Sequence, residues 1–196
     1  MSKALQSICV FCGSRVGNNP EYVFEARKLG FLFAQKNIEL VYGGGNIGLM
    51  GVIADAVLEK KGRVTGVIPG QLRDKEVAHN GLTELIVVET MHERKAIMAK
   101  RADAFIAMPG GFGTCDELFE ILTWAQLGIH AKPVGILNTA GFFDPMLAWV
   151  NHMVKTDFLK QKHTELVIVD GNSETLLEKM LLGPKMVVRP TDKVQP

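Results

Sequence analysis

The segment from Ala104 to Leu122, AFIAMPGGFGTCDELFEIL, brings the residues best suited to chemistry into one turn. Three of the four residues after Pro109 are glycine, and Thr114, Asp116, Glu117 and Glu120 follow among apolar residues at helical spacing. Glycines at Gly110, Gly111 and Gly113 free the backbone for positive φ and remove side chains that would block a ligand. The amides of Phe112 to Cys115 then face outward at a helix start, an anion site suited to a phosphate. Thr114 and Glu117 also have the spacing of a capping box, a purely structural use that accounts for one acid only. Asp116, Glu117 and Glu120 cluster in the first two turns, where the helix dipole favours negative charge. A carboxylate one turn from an amide nest suits the sugar carbons of a nucleotide whose phosphate occupies the nest. Cys115, at the same helix start, is in a position where a thiol can become nucleophilic.

Three other turns offer partners for this one. In VETMHERKAIM, Arg94 and Lys95 fall in the first turn of a helix, the end where the dipole disfavours cations. Such a local conflict is expected at functional sites, although a solvated charged face with Glu93 alongside explains it too. If their strands are neighbours, Arg94 and Glu117 begin adjacent helices and point into one cleft. In YGGGNIGLMG, Gly43, Gly45 and Gly48 match G-x-G-x-x-G, but the acid that a dinucleotide ribose requires about twenty residues on is missing. A glycine turn packed against a nucleotide or phosphate remains open, as do tight turns with no ligand. In GSRVGNNP, Gly13 and Ser14 are small enough to border the same cleft, or simply form a turn.

The elements that must position these turns follow from periodicity. Apolar runs at 7–14, 38–45, 63–70, 83–90, 104–110, 132–138 and 165–170 alternate with amphipathic segments. Asn19-Pro20 opens a helix to about Lys36, residues 49–62 form a helix closed by Gly62, and residues 71–82 read as a loop. Further helices are expected over 91–103, from the glycine turn to about His130, over 142–158 and over 173–182. Continuous apolar strands demand burial on both faces, so the fold predicted is α/β, a doubly wound, mostly parallel sheet of about seven strands, Rossmann-like. One domain over 1–183 and an extended tail over 184–196 are expected.

Composition narrows the function classes. The chain has 196 residues, 47% hydrophobic and 22% charged, as an ordinary globular domain does. Lys plus Arg is 22 and Asp plus Glu 21, a net charge of +1, so no overall field advertises a nucleic acid or a membrane surface. The N-terminal apolar run is too short for a signal peptide or a span, which points to the cytoplasm. Cys9 and Cys12 form C-x-x-C within a strand, where residues three apart face opposite ways, so core packing explains them better than redox or metal chemistry. His92, Glu93 and Lys95 give H-E-x-K, without the second histidine of a zinc helix. No metal and no cofactor are expected.

Taken together, these motifs resemble the LONELY GUY family, the cytokinin-activating phosphoribohydrolases long labelled possible lysine decarboxylases. The family pattern P-G-G-x-G-T-x-x-E is matched without departure by PGGFGTCDE, residues 109 to 117, and its arginine-lysine motif by MHERK, residues 91 to 95. YGGG after the second strand and CGS near the N-terminus agree as well. The resemblance implies hydrolysis of the N-glycosidic bond of N6-substituted adenosine monophosphates, with Arg94 and Glu117 as the catalytic pair. It further implies a nucleotide site that includes Glu76, Lys95, Gly110, Gly111, Phe112, Gly113, Thr114 and Thr123, with Ser14 and Gly44 from the other two turns. It implies a small-molecule nucleotide partner, AMP or N6-prenylated AMP, and a homo-oligomer, a dimer being favoured. The Met-rich segment 91–108 is a candidate interface. A nucleotide- or molybdenum-cofactor-binding carrier on the same fold would use the same glycines without needing Arg94 and Glu117.

Overall fold

The computed structural model describes residues 5–72 and 78–182. The first half of the chain forms β1 (Ser7–Phe11), α1 (Pro20–Gln35), β2 (Glu39–Tyr42), α2 (Gly48–Glu59), β3 (Val64–Pro69) and β4 (Glu84–Val88). The second half forms α3 (Met91–Arg101), β5 (Ala104–Ala107), α4 (Phe112–Gln126), β6 (Val134–Leu137), α5 (Asp144–Lys155), β7 (Val167–Asp170) and α6 (Ser173–Leu181). The strands make one seven-stranded sheet in the order β4-β3-β2-β1-β5-β6-β7, parallel throughout. The expected doubly wound α/β architecture is therefore present. Winding runs outward from β1 to β4, returns to β5 beside β1, and runs outward the other way. The order reverses between β1 and β5, where such sheets open a crevice beyond their carboxyl ends.

Alternation along β1 feeds two separate cores. Ile8 and Val10 pack with Leu29, Phe33, Ile53 and Leu177 on the side covered by α1, α2 and α6. Cys9 and Phe11 pack with Met98, Phe105, Leu118 and Ile121 on the side covered by α3 and α4. Cys12 belongs to the first core, so the two cysteines of the C-x-x-C sit on opposite sides of the sheet, as strand geometry requires. Burial is the main cause that pushes both thiols up from the ordinary cysteine value.

Local signals hold best at helix starts. Asn19 caps α1 by accepting from the Glu21 amide at 2.9 Å, with Pro20 as the first helical residue. The end of α2 differs from expectation: the helix stops at Glu59, and Lys61, at φ 59°, takes the left-handed position instead of Gly62. Gly62 is small for a packing reason, since a Cβ there would come within 2.6 Å of Val57 Cγ1. The strand expected over 7–14 ends at Phe11, leaving Cys12 to Ser14 as loop. Within the expected loop of 71–82, a 3₁₀ turn covers Gly70–Leu72 and Ala78 bridges Gly45. Glu76 and the tail over 184–196 lie outside the described residues. The methionines proposed for an interface are mostly internal, since Met98 and Met108 are buried in the core. Among the described residues no helix is long and apolar enough to cross a membrane.

Candidate active site

Hydrogen bonds at the reversal point tie three turns together. The Gly13 amide donates to Pro109 O at 3.0 Å, while Gly13 O accepts from the Leu49 amide at 3.0 Å. The loops after β1 and β5 and the start of α2 are thereby held against one another. Gly110 must lack a side chain here, because a Cβ would collide with Thr114 Oγ1 and stand 2.8 Å from the Gly13 nitrogen. Over the strand ends lies a cavity of about 260 Å³, lined by Ser14, Gly43, Arg94, Glu117 and the run Gly111 to Thr114.

Arg94 reaches this cavity from α3. The helix is capped by Thr90, whose Oγ1 accepts from the Glu93 amide at 3.1 Å, while Glu93 Oε2 accepts from the Glu89 amide at 3.0 Å. A T-x-x-E capping arrangement thus occurs at α3, and Arg94, the fourth helical residue, closes the first turn by donating its amide to Thr90 O at 3.1 Å. The solvated charged face considered for Arg94 is not what forms, since the residue is only 5% exposed. Its Nη2 donates to Gly43 O at 3.0 Å, and a Cβ at Gly43 would collide with that same nitrogen. The other glycines of the G-x-G-x-x-G pattern serve packing too: Gly45 bridges Ala78, and Gly48, at φ 64°, lies against the backbone of Ser14.

Glu117 reaches the cavity from α4. The helix begins at Phe112 with Gly111 as its N-cap, and no side chain bonds at that cap. The capping box expected from Thr114 and Glu117 is therefore absent. Thr114 is instead drawn into the first turn, only 4% exposed and pressed beneath Gly110. Glu117 and Asp116 accordingly lie in the second turn, where both line the cavity. The first helical bond runs from the Cys115 amide to Gly111 O at 3.1 Å, so the amides of Phe112, Gly113 and Thr114 have no acceptor within the helix. These three residues line the cavity, whereas the Cys115 amide, also expected to face outward, is taken up by Gly111 O.

The two charged groups both bear on the cysteines of β1 and the loop after it. After burial, the charge of Glu117 raises the Cys9 thiol and that of Arg94 lowers it; Glu117 also raises Cys12. Both charges therefore act on one buried thiol of β1. Other expected site residues stand apart. Lys95 pairs with Asp116 at 3.2 Å and Glu120 at 3.0 Å and is not part of the cavity wall. Thr123 lies on the exposed side of α4 and donates to Phe119 O at 2.7 Å. Gly44, at φ 79°, packs against Ile68 and Leu85, one residue behind the wall that Gly43 forms. Cys115 is half-buried and outside the cavity. Met50, Leu72 and Met91 supply apolar wall and are not among the expected site residues.

Known proteins resemble this chain in sequence and in fold. A family model described as "Possible lysine decarboxylase" matches residues 50–180. The cytokinin riboside 5′-monophosphate phosphoribohydrolase LOG2 of Arabidopsis thaliana is 46% identical over 171 residues, 87% of this chain and 80% of that protein. The cytokinin riboside 5′-monophosphate phosphoribohydrolase LOG of Oryza sativa subsp. japonica is 47% identical over 173 residues, 88% of this chain and 72% of that protein. The chain belongs to the LONELY GUY family. Its two LONELY GUY motifs, MHERK and PGGFGTCDE, are carried to one cleft by α3 and α4, which both pack on β1. Among solved structures, the molybdenum cofactor binding protein from Rippkaea orientalis superimposes with a TM-score of 0.66 at 22% identity, covering 91% of this chain and 96% of that one. The Moco carrier protein from Chlamydomonas reinhardtii gives 0.66 at 22% identity over 90% and 96%. At that identity the likeness establishes the fold alone.

Proposed function

We propose that the protein hydrolyses the N-glycosidic bond of adenosine 5′-monophosphates, N6-substituted ones included, releasing free base and ribose 5-phosphate. The observation that carries this is the meeting of Arg94, Glu117 and the amide nest of α4 in one cavity. The 5′-phosphate sits on the amides of Phe112 to Thr114, which leaves the ribose beside the second turn of α4, where Glu117 stands. Bond breaking passes through an oxocarbenium-like state, and a carboxylate near the anomeric carbon stabilises its positive charge and orients water. The water oxygen bonds to C1′ as the C1′–N9 bond breaks. The bond's electron pair leaves with the base, Glu117 takes a proton from the water, and the base gains one from solvent. Arg94, fixed by Gly43 O, binds sugar or phosphate oxygens and holds the geometry.

The old decarboxylase description does not fit these residues. Pyridoxal phosphate chemistry needs a lysine for a Schiff base, and no lysine among the described residues lines the cavity. The proposal includes a cytoplasmic homodimer acting on small nucleotides and not on nucleic acid. Incubation with AMP and isopentenyladenosine monophosphate, followed by chromatography for free base, tests the activity. Release from both monophosphates, with adenosine and ATP almost untouched, is expected. Tight binding without release would favour a carrier and overturn the proposal.

A further inference from the structure

His79 is buried outside the cavity, at 8% exposure, and both of its ring nitrogens are bonded. Nδ1 meets the Gly81 amide at 3.0 Å. A backbone amide can only donate, so Nδ1 accepts and the ring proton sits on Nε2. That nitrogen lies 3.0 Å from Asp55 Oδ1, a carboxylate on α2. The backbone beside the ring meets the glycine turn after β2: the His79 amide donates to Gly44 O at 3.0 Å, and Ala78 bridges Gly45. The ring therefore anchors a two-residue backbone contact that has no longer strand ladder to support it.

What this anchor fixes lies one residue further along the turn. Gly43 and Gly44 have no side chains to hold them, and their carbonyls accept from Arg94 Nη2 and from the His79 amide. A shift of Gly44 is a shift of Gly43 O, the seat of the Arg94 guanidinium. We propose that His79 is a positioning residue: gripped by Asp55, it holds the Gly43–Gly45 turn where that turn seats Arg94. This rests on the phosphoribohydrolase reading above. Neither His79 nor Asp55 lines the cavity, and the Asp55 side chain is 62% exposed, so their influence on the site passes through the backbone of the turn. Reactive side chains keep a productive geometry when a surrounding layer of hydrogen bonds locks what they rest on.

The test uses the full-length protein and the variants His79→Leu, His79→Gln, Asp55→Ala, Arg94→Ala and the double variant His79→Leu/Arg94→Ala. Thermal unfolding fixes a temperature at which each is folded, and kcat for AMP hydrolysis is measured there, by single turnover where it is slow. His79→Leu should lose about thirtyfold in kcat, the scale of a misplacement of under an ångström. Asp55→Ala should lower kcat in the same direction by about fivefold, although it is exposed and outside the cavity. His79→Gln should recover most of the loss, since its amide can still donate to Asp55. In the Arg94→Ala background, His79→Leu should cost no more than about twofold further, because the residue through which it acts is gone. A full thirtyfold loss on top of Arg94→Ala would place the effect elsewhere in the site and overturn the proposal. Lowered melting temperatures with kcat unchanged in both His79→Leu and Asp55→Ala would make the histidine a structural residue only, which overturns it as well. If His79→Leu does not fold, or Arg94→Ala leaves no turnover to compare, Asp55→Ala and His79→Gln decide: unchanged kcat in Asp55→Ala, or a kcat in His79→Gln lower than in Asp55→Ala, overturns it. A wild-type protein that releases no base fails the underlying reading instead, which is a distinct result.

Discussion

In the turn after β2 the space beside the glycines is already occupied. A Cβ at Gly43 would collide with Arg94, and one at Gly48 with the backbone of Ser14, at a φ of 64° that side chains avoid. In the turn after β5, Gly110 is hemmed in by Thr114 and Gly13, but Gly111 and Gly113 have no neighbouring atom among the described residues within 4 Å of where a Cβ would stand. The first turn needs glycine for its own packing and for the seat of Arg94. The second keeps space beside Gly111 and Gly113 that no described residue fills. Glycine-rich pattern by itself thus does not separate architecture from binding; the surroundings of each glycine do.

The largest expected effect sharpens the functional side of that contrast. Because α4 is capped by Gly111, Glu117→Gln touches no cap, so the variant should fold with near-native stability and still bind AMP. Turnover should fall by roughly two to four decades, the worth of a positioned acid-base group. Near-native turnover would transfer the carboxylate role to Asp116. The next effect tests the architectural side: Gly48→Ala forces a positive φ and a clash with backbone, and should cost about 3 kcal/mol in urea unfolding. A variant as stable as the parent would break the comparison at that turn. Gly113→Ala goes the other way, with stability kept or slightly raised, because alanine favours helix and meets none of the described residues. Its methyl group enters the open space, so ribose 5-phosphate should bind about tenfold more weakly by calorimetry; unchanged binding would mean the space is not the ligand's. The smallest effect is expected at Cys115, outside the cavity: Cys115→Ser should keep kcat/KM within about twofold, and loss of turnover with binding intact would reveal a nucleophile.

Much of the fold was legible because its signals are local or periodic. Asn19-Pro20 marks the start of α1 within two residues of sequence, and continuous apolar strands imply a parallel sheet without any knowledge of strand order. The same local logic failed at α4. Thr90 with Glu93 and Thr114 with Glu117 share one spacing, yet only the first pair sits at a helix start, because Thr114 is drawn inward beneath Gly110. Arg94 and Glu117 could be named from motifs, but their meeting depends on β5 returning to lie beside β1. The substitution of Gly43 for Gly44 in the wall, and the commitment of Lys95 to Asp116 and Glu120, are tertiary facts with no counterpart in spacing.

The reversal of strand order beside β1 also sets when the cleft can exist. The bond from Arg94 to Gly43 spans 51 residues, and the Ser7 amide meets Asp103 across 96. A growing chain that has completed β1 to β4 already owns the first glycine turn, but it contains neither the arginine nor the glutamate and has no partner for the open side of β1. Contacts so distant in sequence close late and slowly. During synthesis or refolding, capacity to hold a nucleotide should therefore arrive abruptly, with the docking of β5 and α4, and not grow in step with the sheet.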